Sequence, residues 1–537
     1  RERRRGFGGA QPQRNDRASG PLDTILILDF GSQTTQLIGR RIRDLGVYAR
    51  IIPGDAPLLP ELGDEVRGVI LSGSPFSVYE PGAPRPDPAV YRLEVPVLGI
   101  CYGAQRLIQD HGGEVASLER KEYGRAAVRL REPCALLEGV PDGFISWMSH
   151  GDTIRRLAPG FRTAGVTENG LPALLVHEDR KIFGLQFHPE VTHCEYGERI
   201  LENFAVRICG ARREWSIEAY LNELTPGLRA QVGGHPVLLL ASGGVDSTVV
   251  AALLLAVLPA EQVHLLYVDT GLMRKGESEE VGEGLRLLGA RHLHQVDASR
   301  QFLKALRGVE DPEEKRRRIG DLFIRVQAES AAAAGIAGGF LAQGTLYTDL
   351  IESGKGVGWK AEVIKSHHNV RSPLVEAKRA QGLLLEPLCG LYKDEVRRLG
   401  RHLGVPDSTV GRHPFPGPGL AVRILGEVTP EKVRILREAD ALYIEELKAR
   451  GLYERIWQAF TVLLPVRSVG VAGDARKYSF VLALRAVVSR DGMTADAYPF
   501  APTDLLEISA HLTNRIAEIG RVVYDVSSKP PATIEWE

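Results

Sequence analysis

Short, wholly apolar runs alternate with longer stretches of helical period along most of this chain. Residues 24–28, 68–71 and 97–100 each read as a buried strand ending in a turn that contains Gly or Ser. Strands apolar on both faces are the mark of a parallel sheet covered by helices. Residues 181–187 form a further apolar strand. The pattern then restarts: residues 236–241 (PVLLLA) predict a buried strand, 242–247 a tight loop, 248–258 a helix running to Pro259, and 263–269 (VHLLYVD) the next parallel strand. That is a second βαβ unit of nucleotide-binding size. Residues 213–234 between the two read as a charged helical connector. At 412–420 (RHPFPGPGL) the chain is too rich in Pro and Gly for a helix or a central strand. Beyond it, a helix at about 431–450 and strands at about 466–470 and 478–487 predict a smaller α+β region.

The length of 537 residues suits three or four domains. With 44% hydrophobic and 25% charged residues the chain buries sizeable cores, and its longest apolar run, 249–258, is far short of a bilayer span. Lys and Arg number 67 against 68 Asp and Glu, so the global basic excess of a nucleic-acid binder is missing. Small molecules or other proteins are the expected partners, with no nucleic acid and no membrane. Residues 1–20 carry six Arg against Glu2 and Asp16 and no apolar core. That composition predicts a disordered tail over 1–21 rather than a signal peptide. The five cysteines lack CxxC or CxxH spacing, which argues against a disulfide scaffold or a structural zinc site and for reduced thiols in the cytoplasm.

Candidate chemistry lies at the strand ends, where open α/β sheets place their sites. In GICYG (99–103) a cysteine stands where a buried strand turns into a helix beginning near Ala104. Such an elbow exposes the sulfur while helix-end amides stabilise a thiolate. A cysteine there is, taken alone, more often a core thiol. FHPE (187–190) adds a histidine at the end of another strand, with a glutamate two residues on. Alone it is a turn with a solvated histidine; with Cys101 it suits a Cys-His-Glu triad. SGGVDS (242–247) places two glycines and two serines between strand and helix, so that successive N–H groups face one anion at a helix N-terminus. It has no lysine of the GxxxxGK[ST] type. Asp349 and Glu352 stand three apart, as magnesium or substrate ligands on one helical face would, and Lys393 adds a cation for phosphate.

GICYG together with LSGSP (71–75) and FHPEVTH (187–193) resembles the class I glutamine amidotransferases. The resemblance implies Cys101 as nucleophile on the glutamine amide, His188 as general base and acid, and Glu190 as its orienter. It also implies an oxyanion hole of backbone N–H groups from Tyr102 and from the turn at Ser74, a residue that stands where that family commonly has glycine. SGGVDS resembles the pyrophosphate loop of the N-type ATP pyrophosphatases. Ser242, Gly243, Gly244, Val245, Asp246 and Ser247 would then hold pyrophosphate, Val268 would meet adenine through its backbone, and Asp246 would face Mg2+ bound with ATP.

An ammonia generator and an adenylating ATPase in one chain suit synthetases for guanylate, NAD, asparagine or cytidylate. RHPFPGPGL (412–420), QAFT (458–461), LPVRSVG (464–470), GDAR (473–476) and SKPPATIEWE (528–537) closely resemble the family of glutamine-hydrolysing GMP synthetases, and the likeness runs from about Leu22. It implies a class I amidotransferase domain at 22–211, an ATP pyrophosphatase domain at 212–412 and a C-terminal XMP-binding and dimerisation domain at 413–537. Two parallel-sheet α/β domains would thus precede a small α+β domain in a homodimer. XMP, ATP and glutamine become the substrates, with Arg521, Lys529 and the backbone at Ile534 on the XMP phosphate and Gln458 and Glu535 near its ribose or phosphate. Thr348, and Asn369 to Pro373, depart from that family's pattern. Another glutamine-dependent adenylating synthetase, one making NAD for example, is the alternative and would use deamido-NAD in place of XMP.

Overall fold

The computed structural model describes residues 21–58, 63–336, 338–346, 373–472, 475–489 and 494–537. The tail at 1–20, Asp349, Glu352 and residues 369–372 lie outside them. Among the described residues the chain forms two compact units, one up to Glu223 and one from Leu224 onward. The helix Ile217–Val232, in the segment read as a charged connector, carries the chain from one to the other.

The first unit is built on a nine-stranded sheet. Strands β1 (Thr24–Asp29), β2 (Tyr48–Pro53), β3 (Val66–Leu71), β4 (Val97–Ile100) and β9 (Ile182–Leu185) run parallel in the order β2-β1-β3-β4-β9. Strands β8 (Pro172–His177), β7 (Arg162–Thr167), β5 (Glu114–Leu130) and β6 (Phe144–Arg156) extend it antiparallel. In β1, Ile25 and Ile27 enter one hydrophobic cluster while Leu26 and Leu28 enter another, as a strand of period two covered on both faces requires. The antiparallel half extends the expected parallel sheet by four further strands. In β6 the buried positions alternate with Ile145, Trp147, Ser149 and Gly151, and they include the polar Ser146, His150 and Asp152, which leaves no continuous apolar run.

The second unit holds two sheets. Strands β10 (Val237–Leu240), β11 (Val263–Asp269), β12 (His292–Asp297), β13 (Phe340–Ala342) and β14 (Leu384–Leu385) are all parallel, in the order β12-β11-β10-β13-β14. The direction of winding reverses between β10 and β13, and the carboxyl end of such a switch point is where doubly wound sheets bind ligands. The last sheet joins β15 (Gln458–Ala472), β16 (Ala475–Val488), β17 (Asp496–Ala497) and β18 (Ile519–Tyr524), with β18 parallel to β16. One hydrophobic cluster runs from Leu238 and Leu266 through helix Pro312–Ala333 to Leu436, on helix Pro430–Ala449, and on to Leu482. It continues across the irregular segment at 412–418, where a domain boundary was expected.

Candidate functional site

The cysteine elbow is built by close approach of backbones. Strand β4 is buried throughout and stops at Cys101, which takes φ 52° before helix Tyr102–Asp110 begins. A non-glycine residue held there costs on the order of 1–3 kcal/mol, strain that clusters at functional sites. A Cβ on Gly103 would lie 2.3 Å from the Leu71 carbonyl oxygen, and one on Gly99 would lie 2.5 Å from the Gly103 carbonyl carbon. The GxCxG spacing is therefore steric: the helix starts against the strands that present it. The Cys101 N–H donates to the Leu185 carbonyl at 2.7 Å, tying the elbow to β9, the strand that leads to His188.

His188 is buried, its N–H donating to the Trp147 carbonyl at 3.0 Å. Its Nδ1 lies 2.7 Å from Oε1 of Glu190, a residue with no exposed surface. Nε2 is left for Cys101, which interacts with the imidazole while its Sγ donates to the Ser149 carbonyl at 3.8 Å. Burial alone would push the imidazole pKa down. The Glu190 carboxylate and the Cys101 contact outweigh it, and the net pKa lies well above the usual histidine value. The other thiols lack this partner: burial pushes Cys194 up to about 12 and raises Cys134, Cys209 and Cys389 as well.

The turn after β3 closes the site. A Cβ on Gly73 would stand 3.3 Å from His188 Cε1, so LSGSP lies beside the imidazole. Ser72 fixes that turn: its Oγ accepts from the Phe30 N–H at 2.9 Å and donates to the Gly73 carbonyl at 2.9 Å. Among the described residues only Cys101 and Lys181 are non-glycines at positive φ, so Ser74 occupies a conformation open to any residue. Its substitution for glycine brings no backbone strain. The Tyr102 N–H opens the helix and, like every first amide, has no carbonyl partner within it. Arg41, whose Nε donates to the Glu190 carbonyl at 3.2 Å, was not legible in advance, being one of several arginines on an amphipathic helix.

The second cluster sits at the switch point. Gly243 takes φ 79°, and Gly244 caps the helix Val245–Val257 with Asp246 in its first turn. Ser242 Oγ is 3.1 Å from Ser247 Oγ and accepts from the Gly244 N–H at 3.3 Å. Lys393 Nζ donates to both Asp246 oxygens at 2.6 Å. A Cβ on Gly344, just past β13, would fall 3.2 Å from Asp246. The loop after β10 and the turn after β13 thus meet. Val268 is buried near the end of β11.

Of the residues expected at XMP, Gln458 and Glu535 come together: Gln458 Nε2 donates to Glu535 Oε1 at 2.8 Å. Glu535 also receives Arg423 Nη2 at 2.8 Å. Ile534 is buried, and its carbonyl accepts from Arg485 Nε at 3.3 Å. The Lys529 main chain pairs with Ala495, its N–H donating at 2.7 Å. Arg521 stands exposed on β18 and donates to Ser468 Oγ at 3.4 Å. Arg423 and Arg485, both fully buried, escaped sequence reasoning because charged residues within apolar strings read as surface positions.

The fold of the first unit is that of a class I glutamine amidotransferase, and the family model of that description matches residues 26–208. The model for the GMP synthase C terminal domain matches residues 445–536. A glutamine-hydrolysing GMP synthase of Symbiobacterium thermophilum is 51% identical over 517 residues, covering 96% of this chain and 99% of that protein. One from Aquifex aeolicus is 48% identical over 96% of this chain and 99% of its own length, and one from Brucella suis 50% identical with the same coverage. The chain belongs to the glutamine-hydrolysing GMP synthase family. It is a ligase that uses glutamine and ATP to make GMP, which sets aside the NAD synthetase alternative.

Proposed function

We propose that the two clusters divide one reaction. In the first, Cys101 Sγ attacks the glutamine amide carbon, and His188 passes the thiol proton to the departing nitrogen, which leaves as ammonia. Water then hydrolyses the glutamyl thioester, with His188 as base, and glutamate is released. The Tyr102 N–H and the turn at Gly73 and Ser74 face the tetrahedral oxyanion. Glu190 holds the imidazole in one tautomer and stabilises its charged form. The observation that carries this half is the line Cys101, His188, Glu190, with 2.7 Å between imidazole and carboxylate.

In the second, the xanthine C2 oxygen of XMP attacks the α-phosphorus of ATP and pyrophosphate leaves. Ammonia then attacks C2 and AMP departs, giving GMP. Ser242, Gly243, Gly244, Val245 and Ser247 cradle pyrophosphate with their amides and hydroxyls, Lys393 offsets its charge, and the Val268 backbone meets adenine. Asp246 suits Mg2+, which binds through one or two carboxylates plus phosphate oxygens; when bound it neutralises phosphate charge, and Asp349 and Glu352 complete the proposal. XMP lies at Gln458, Arg521, Lys529, Ile534 and Glu535.

The domain limits stay as read from the sequence: amidotransferase 22–211, pyrophosphatase 212–412, C-terminal domain 413–537. We assign the chain to the cytoplasm as a homodimer that binds no nucleic acid. Five free cysteines, balanced charge and the exposed apolar Val466, Val469, Tyr478 and Val523 of the last domain support this. No helix among the described residues is long and apolar enough to cross a membrane.

A pH profile tests the triad. Glu190→Gln keeps a hydrogen bond to His188 but removes the charge that raises its pKa. The alkaline limb of kcat/KM for glutamine, where the imidazolium is lost, is expected to move to lower pH, and the rate to fall about 100-fold or more. An alkaline limb and rate like the parent's would remove Glu190 from its role.

A further inference from the structure

Buried arginine is costly to desolvate, so a guanidinium with no exposed surface is retained where acceptors are built around it. Two such groups sit beneath the tail that follows β18. Arg485, on β16, donates to the carbonyls of Ser527 at 2.7 Å, Thr533 at 3.2 Å, and Asp525 and Ile534 at 3.3 Å. Its side chain is fully buried, and 3.4 Å separates it from the Asp525 carboxylate. Arg423 grips Glu535 with Nε at 3.1 Å and Nη2 at 2.8 Å, and its guanidinium lies 4.1 Å above the Phe460 ring. Phe460 is the cross-strand partner of Arg485. The tail has little regular structure of its own: past Tyr524 its one ladder contact is the bridge between Lys529 and Ala495.

We infer that Arg485 and Arg423 are positioning residues of the XMP site, fixing residues 525–535 in the binding conformation before XMP arrives. The inference rests on the assignment of XMP to this tail. Neither guanidinium has exposed surface through which to meet the substrate. Arg485 collects carbonyls from both ends of the tail, 525–527 and 533–534, and so closes it into a loop. Arg423 then anchors the carboxylate beyond that loop and sets Glu535 against Gln458. A site assembled in advance spares the ordering cost that binding would otherwise meet.

Arg485→Lys and Arg423→Lys in the full chain test this, because an ammonium supplies one compact charge where the guanidinium forks to several acceptors. KM for XMP is expected to rise about tenfold or more in each, with KM for ATP and the glutaminase rate staying within about twofold. Hydrogen exchange of tail amides, slow in the parent, is expected to be fast in Arg485→Lys and to slow again at saturating XMP. Arg423→Lys, which disturbs the Glu535 anchor alone, decides the matter should Arg485→Lys fail to fold. An unchanged KM for XMP, or an equal loss for every substrate, overturns the inference. Lys529→Ala separates the two readings: if it leaves KM for XMP unchanged, the assignment of XMP to the tail fails. If it raises KM for XMP while the arginine variants do not, the positioning role alone fails.

Discussion

Cys101→Ala is expected to abolish GMP synthesis from glutamine, by at least about 10⁴-fold, while synthesis from added ammonium continues at the parental rate. The size of the loss follows from the covalent step. Without Sγ there is no thioester, and His188 and the oxyanion amides have no nucleophile to activate. Survival of the ammonium reaction follows from the division of the chain. Cys101 lies in the unit ending at Glu223, whereas the phosphate loop and the tail lie in the other. Alanine keeps the elbow, since its strain lies in the backbone at φ 52° and in the glycines on either side. GMP formation measured with each nitrogen source checks both halves. Glutamine-dependent synthesis that persists in the variant would remove Cys101 as nucleophile.

Asp246→Asn is expected to have the opposite selectivity: synthesis falls about 100-fold or more with glutamine and with ammonium alike. Asp246 is the carboxylate at the mouth of the amide loop, held at 2.6 Å by Lys393. Asparagine keeps its shape but supplies no charge for Mg2+ and leaves Lys393 without its counter-ion. Because adenylation precedes amination, both nitrogen sources depend on it. Pyrophosphate release is the readout, and turnover equal to the parent's would take Asp246 out of the phosphate site.

Much of this was legible before the structure, for reasons that differ by element. β4 and β11 were placed at their observed limits because buried parallel strands are continuous apolar runs bounded by turns. The cysteine elbow and the SGGVDS loop were legible because each packs its constraint into a few adjacent residues: glycines for close approach, then the reactive side chain. Long-range assembly was not. The helix at Cys101 starts at Tyr102 rather than near Ala104, since its first turn packs on the Leu71 carbonyl, a contact from another strand. The last hairpin is longer than the expected strands: β15 already begins at Gln458, and β16 begins at Ala475, where Arg476 and Lys477 continue the ladder at positions whose charge reads as loop. Arg423 and Arg485 were missed for the same reason: their burial depends on partners far along the chain, and no local period marks a charged residue as interior.

The central claim is that the adenylating site acts on XMP and is served by ammonia from the cysteine site. AMP formation with XMP, followed with glutamine and with ammonium, tests it most directly. The account predicts one AMP per GMP with either donor in the parent, AMP and GMP with ammonium alone in Cys101→Ala, and no AMP when deamido-NAD replaces XMP. AMP formed from deamido-NAD, or GMP made without AMP, would contradict it.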